Sequence, residues 1–137
     1  MNTFTNDQAS ASGAIDILVA DNEAPIAHVI AELLNEEGYT VLVCHDGASA
    51  LLAIQEQRPH LVLLDNAMPV MTGGELLSEL RQNGFSHLPV ILMSAGSQLS
   101  EFPEQGATDI IPKPFDVERL LERIAWYVQP RAQRMAV

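Results

Sequence analysis

Apolar and polar positions along the chain follow two alternating rhythms. Short, nearly unbroken apolar runs stand at Ile15–Ala20 (interrupted by Asp16), Thr40–Cys44, His60–Leu64, Pro89–Met93 and Thr108–Ile111. Runs of this length and bulk predict buried strands. Between them, apolar residues return every three or four positions. Ile26, Val29, Ile30, Leu33 and Leu34 mark one face of a helix over Ala24–Glu37 that stops at Gly38. A second helix is expected over Ala48–Glu56, behind Asp46 and Gly47, and a third over Gly73–Gln82 with Leu76, Leu77 and Leu80 inward. Ser97–Glu104 reads as a weak helix, anchored only by Leu99 and Phe102, with Pro103 near its end. The last helix, Asp116–Val128, places Val117, Leu120, Leu121, Ile124, Ala125 and Val128 on one stripe with Asp116 as N-cap.

Five strand–helix pairs in strict alternation predict an α/β fold, a doubly wound five-stranded parallel sheet with helices on both faces. Residues 1–14 are polar and aperiodic and read as a flexible leader. Residues 129–137 read as a frayed tail, which leaves one domain over residues 15–128. A chain of 137 residues buries about two-thirds of its extended surface, enough for one core and no more.

Composition narrows the partners. No apolar run approaches the ~20 residues of a membrane helix, and Met1–Gly13 has neither the basic start nor the apolar centre of a secretory signal. The single cysteine, Cys44, forms no internal disulfide and fits a reducing, cytoplasmic setting. Eighteen acidic against seven basic side chains give a formal charge of −11. A chain without clustered basic residues lacks the grip on phosphate backbones that nucleic-acid binding needs, so no nucleic-acid partner and no membrane insertion are expected. Lys113 is the only lysine among those seven basic residues, which suggests a place that needs a compact ammonium.

Ligands of parallel sheets bind at the C-terminal strand ends. Those positions hold Asp21 and Asn22 after the first strand, Asp65 after the third, Ser94 after the fourth and Lys113 after the fifth. Two carboxylates, a carboxamide, a hydroxyl and an ammonium on one rim suit phosphoryl transfer to a carboxylate. An Asp is a competent nucleophile that forms a mixed anhydride, and a hard cation with an ammonium neutralises the phosphoryl oxygens. Mg²⁺ keeps several waters, so one or two carboxylates suffice to hold it.

The segments Ile17–Glu23 (ILVADNE), Leu61–Gly73 (LVLLDNAMPVMTG), Val90–Ala95 (VILMSA) and Pro112–Phe115 (PKPF) resemble, in order, the signature blocks of receiver domains of two-component response regulators. The resemblance covers residues 15–128 and implies a flavodoxin-like sheet of strand order 2-1-3-4-5. It implies phosphorylation of Asp65 by a histidine kinase or phosphotransfer protein, with Asp21 in the acidic pair and the Ala67 backbone carbonyl on the metal. It also implies Ser94 as the switch hydroxyl, Lys113 as the lysine paired with the phosphoacceptor, and a cis Lys113–Pro114 bond. The expected activity is that of a phosphoacceptor signalling domain, not an enzyme with an external substrate.

Three departures stand beside the match. Asn22 occupies the place of the second acid, so weak Mg²⁺ binding is expected. Ile110 stands where an aromatic switch residue is usual. The stretch from Ser94 to Lys113 is about three residues shorter than usual, roughly one helical turn. The leading expectation is a stand-alone receiver that signals by protein contact to an unknown downstream partner. The alternative is a pseudo-receiver that keeps the fold and binds without phosphate. A hydrolase working through an aspartyl phosphate would want a second acid two residues after the nucleophile, where this chain has Ala67. A flavodoxin would want a Ser/Thr/Gly-rich phosphate loop after the first strand, where this chain has Asp21-Asn22-Glu23-Ala24-Pro25. Cys44 reads as a small core hydrophobe, and His28 as solvated. His45, His60 and His87 lack metal-ligand spacing, and Met68 and Met71 read as loop packing.

Overall fold

The computed structural model describes residues 15–94 and 106–130. Along it run β1 (Ile17–Ala20), α1 (Ala24–Glu36), β2 (Val41–Cys44), α2 (Gly47–Gln57), β3 (Leu61–Asp65), α3 (Gly73–Gln82), β4 (Val90–Ser94), β5 (Asp109–Pro112) and α4 (Val117–Tyr127). The strands form one parallel sheet in the order β2-β1-β3-β4-β5. The leader over residues 1–14, the weak helix expected over Ser97–Glu104 and the residues after Pro130 lie outside the described residues.

Side-chain alternation along each strand separates two cores. Leu18, Ala20, Val62, Leu64 and Leu92 face one side, where α2 contributes Ala50 and Ile54 and α3 contributes Leu76, Leu77 and Leu80. Ile17, Val19, Leu61, Leu63 and Ile91 face the other, covered by Ala27, Ile30 and Leu34 of α1 and by Leu120 and Ile124 of α4. Each fully buried Leu or Ile contributes about 1.5–3 kcal/mol. The apolar stripes seen in the sequence are therefore core.

Helix ends obey local chemistry. Pro25 opens α1, where its missing N–H removes no helical bond. At the other end Gly38 N donates to Asn35 O and Tyr39 N to Leu34 O, the paired bonds of a Schellman stop. Asp46 caps α2 by accepting from Ser49 N at 2.8 Å. Thr72 and Glu75 form a reciprocal capping box at the start of α3. Asp116 caps α4 as expected.

Boundaries differ from the sequence expectation by a residue or two, and the sheet explains how. Ile15 and Asp16 do not join β1. The Asp16 carboxylate instead accepts from Thr40 N at 2.9 Å, and its carbonyl accepts from His60 N and Leu61 N. At the opposite end the strands run further than their apolar runs. Asp65 pairs with Met93, and Ser94 with Pro112, so polar residues belong to the ladder. Pro112 sits in an edge strand, where a missing donor is tolerated. The expected tail begins with Gln129 and Pro130, and Pro130 is buried.

Candidate functional site

Register assembles the rim. Ala20 pairs with Leu64, so the next residues, Asp21 and Asp65, stand level on adjacent strands. Three backbone bonds carry the ladder to the edge: Asp21 N to Cys44 O at 3.0 Å, Asn66 N to Met93 O at 3.1 Å and Lys113 N to Ser94 O at 2.9 Å. The Lys113 ammonium lies 3.2 Å from Asp65 Oδ1 and 3.6 Å from Asp21 Oδ2. Asp21 is fully buried, Asp65 is 3% exposed and Ser94 is buried beside them. The Lys113–Pro114 bond is cis.

Of the residues expected here, the structure brings Asp21, Asp65, Ser94 and Lys113 to one rim. Asn22 is exposed at its mouth, and Ala67 is exposed on the following loop. Ile110 is half-buried against the core on the α2/α3 side and contributes no ring or polar tip.

Two carboxylates beside one ammonium in a poorly solvated rim leave one negative charge uncompensated. Burial, then the neighbouring Asp21, pushes the Asp65 carboxyl above its ordinary range, against the pull of the Ala67 N–H and Lys113. Burial works against the Lys113 ammonium, but Asp65, Asp21 and Glu23 outweigh it and hold its pKa above the ordinary value. The chemistry left over is an excess of carboxylate oxygen. Asp21 Oδ1 accepts from Glu23 N at 2.9 Å, while the buried Oδ2 accepts no hydrogen bond. Such an oxygen fits a cation. Among the described residues no cluster of three or more His, Cys, Asp or Glu is placed to hold a metal. Two acids on one rim could hold a hard ion that keeps its waters.

Other residues hold the site in shape, although the sequence assigns them no part in it. His45 Nδ1 lies 3.0 Å from Asp21 O; a carbonyl only accepts, so Nδ1 carries the hydrogen. Asn66 Oδ1 accepts from Gly74 N at 2.9 Å and ties the end of β3 to the start of α3. A Cβ on Gly73 would stand 2.7 Å from Asp65 O, so only glycine allows this close approach. Of these, only the Gly73-Gly74 pair at a helix start left a trace in the sequence. Cys44, by contrast, behaves as read: burial, then Asp46, pushes its thiol up to about 11, leaving no reactive thiolate.

The model of the response regulator receiver domain family matches residues 17–125. The response regulator MprA of Mycobacterium ulcerans is 37% identical over 114 residues, covering 81% of this chain and 49% of MprA. The transcriptional regulatory protein CpxR of Klebsiella pneumoniae is 42% identical over 111 residues, covering 79% of this chain and 47% of CpxR. Among solved structures, the receiver domain of the Francisella response regulator 1452 has a TM-score of 0.78 and 32% identity, covering 82% of this chain and 95% of that one. The Vibrio cholerae chemotaxis protein CheY4 has a TM-score of 0.76 and 29% identity, covering 85% and 99%.

The chain belongs to the response regulator receiver domain family. Receiver domains are the phosphorylated signalling domains of two-component systems, not enzymes in the ordinary sense. They work with histidine kinases or phosphotransfer proteins and generally bind Mg²⁺ at the acidic site. The chain spans about half the length of the curated relatives it matches. Those relatives include a transcriptional regulatory protein, so the exclusion of nucleic acid drawn from charge is not supported. No described helix is long and apolar enough to cross a membrane.

Proposed function

We propose that this receiver accepts a phosphoryl group on Asp65 from a phosphohistidine and passes the signal on by protein contact. The observation that carries this reading is the Lys113 ammonium set between the Asp65 and Asp21 carboxylates at the strand ends. In the transfer, an Asp65 carboxylate oxygen forms the bond to phosphorus. The P–N bond of the donor breaks, and its electron pair returns to the imidazole nitrogen. Lys113 holds Asp65 ionised and then faces the new phosphoryl charge. Ser94 offers a hydroxyl to the phosphate. Asp21, Asp65, Asn22 through its amide oxygen and Ala67 through its carbonyl are the residues that would hold Mg²⁺, whose role when bound is to neutralise phosphoryl oxygens. For output, we propose contact between the receiver itself and a downstream protein, the stand-alone mode of signalling.

The test is intact-mass spectrometry after incubation with Mg²⁺ and acetyl phosphate, comparing wild type with Asp65→Asn. One phosphoryl adduct on wild type and none on the variant is expected. An adduct that survives Asp65→Asn would overturn the assignment. The neutral Asn22 favours a second reading, a pseudo-receiver that binds its partner without phosphate. Absence of any adduct, with both small and protein donors under saturating Mg²⁺, would select it.

A further inference from the structure

Asp21 follows β1, and the neighbouring edge strand holds its backbone from both sides. Its N–H donates to Cys44 O at 3.0 Å, one rung beyond the Ala20–Cys44 pair. β2 ends at Cys44, and the chain turns into α2 behind the cap Asp46. The next acceptor on that edge, Asp21 O, is therefore met by a side chain, and His45 Nδ1 donates to it at 3.0 Å. The His45 ring also packs edge to face with His28 of α1, with ring centres 5.8 Å apart and planes at 83°. His45 is exposed, so burial forces neither contact on it.

The carbonyl that His45 holds belongs to the Asp21–Asn22 peptide, whose atoms move as one plane. Turning that plane displaces Asn22 and then Glu23, whose N–H donates to Asp21 Oδ1 at 2.9 Å. With Oδ1 engaged there, Oδ2 faces the Lys113 ammonium at 3.6 Å and accepts no hydrogen bond. The imidazole N–H thus acts on the carboxylate at one remove, through the plane that carries it.

We propose that His45 is a positioning residue for divalent-ion binding, which keeps the Asp21 carboxylate aimed into the rim by holding Asp21 O. The proposal rests on the reading of Asp21 as a residue that would hold Mg²⁺. Hydrogen bonding and ring packing are separable at this position. Asn would offer an N–H close to where Nδ1 stands and no ring for His28. Phe would keep the ring and lose the donor.

The experiment compares wild type with His45→Asn, His45→Phe and His45→Ala. NMR reads two quantities: exchange of the Glu23 amide proton without metal, and the Mg²⁺ dissociation constant from the Asp21 and Asp65 amide shifts. In His45→Phe and His45→Ala the Glu23 amide should exchange severalfold faster. Mg²⁺ affinity in both should fall about three- to tenfold, the scale of one hydrogen bond. His45→Asn should stay within about twofold of wild type in both readings, because the donor is kept. A merely structural role would lower Tm without this pattern of loss and rescue. Wild-type affinity in His45→Phe or His45→Ala overturns the proposal, and so does a His45→Asn as weak as His45→Ala. A wild type whose rim amides do not shift with Mg²⁺ defeats the ion-site reading instead, and the proposal falls with it.

Discussion

At the scale of single residues, charge decides behaviour. Asn22 keeps an oxygen beside the rim but carries no formal charge next to Asp21 Oδ2, which accepts no hydrogen bond. A unit charge a few ångströms from a divalent ion is worth several kcal/mol before desolvation, and ~1–2 kcal/mol after it. Asn22→Asp should therefore tighten Mg²⁺ binding about tenfold, read by NMR titration. Unchanged or weaker affinity would remove Asn22 from the ligand set. Asp65 gives the second residue-scale prediction. Its pKa is raised in the folded state, so the native chain binds this proton more tightly than the unfolded one. Stability from this group rises as pH falls from neutral towards the ordinary carboxylate range, and its ionisation near pH 7 is a standing cost. Asp65→Asn removes that cost. Its Tm at neutral pH should rise by ~3–5 °C, the scale of about 1 kcal/mol at this chain length, and the gap should narrow on acidification. Calorimetry across that range checks it, and a variant less stable at pH 7 contradicts it.

At the scale of elements, Arg81 in the last turn of α3 ties two other segments to its helix through their backbone carbonyls. It donates to Phe85 O at 2.7 Å and Leu88 O at 2.8 Å in the turn before β4. It donates to Gly106 O from Nε at 2.9 Å and from Nη2 at 2.7 Å, just before β5. A planar guanidinium with five donors matches this set, and an ammonium does not. Arg81→Met strands several half-buried carbonyls at about 1–3 kcal/mol for a group left without its partner. A loss of ~2–4 kcal/mol in urea unfolding is expected, with Arg81→Lys recovering less than half. A loss under 1 kcal/mol would mean that water replaces the guanidinium. β5 has a second anchor, because Asp109 accepts from Arg123 and from Tyr127 Oη of α4.

At the scale of the whole molecule, the question is how a phosphoryl group at Asp65 reaches the surface. Ile110 packs half-buried against the core and has no ring to rotate. Among the described residues the route expected instead starts at Ser94, whose carbonyl accepts from Lys113 N. A phosphate that favours one arrangement by ~1.4 kcal/mol shifts its population ratio tenfold. Amide shifts between the apo form and the Mg²⁺–beryllofluoride form, in which beryllofluoride stands in for the phosphoryl group, should therefore extend beyond Asp21, Asn22 and Asp65–Met68. They should reach Ser94, Gly106–Thr108 and Lys113. Changes confined to the first group would break this route and favour phosphate-independent binding.

What the sequence determined by itself is what depends on neighbours in the chain. An apolar run buries wherever the sheet places it, and a polar residue directly after it lands on the rim, so Asp21, Asp65, Ser94 and Lys113 were legible from position alone. Caps were legible for the same reason, Asp116 for one. The strand order followed from resemblance, since right-handed crossovers leave more than one winding open. The tertiary structure decided whatever needs a partner distant in sequence. Strand ends moved where hydrogen bonding to the next strand ran past the apolar run: Asp65 and Ser94 gained a ladder. His45 reads as an isolated histidine until its ring nitrogen meets Asp21 O. Nothing next to Arg81 in the sequence points to Gly106, which only the folded chain brings to its guanidinium. The positive φ of Val70 and its exposure belong to the folded loop, and neither is written in the amino-acid order.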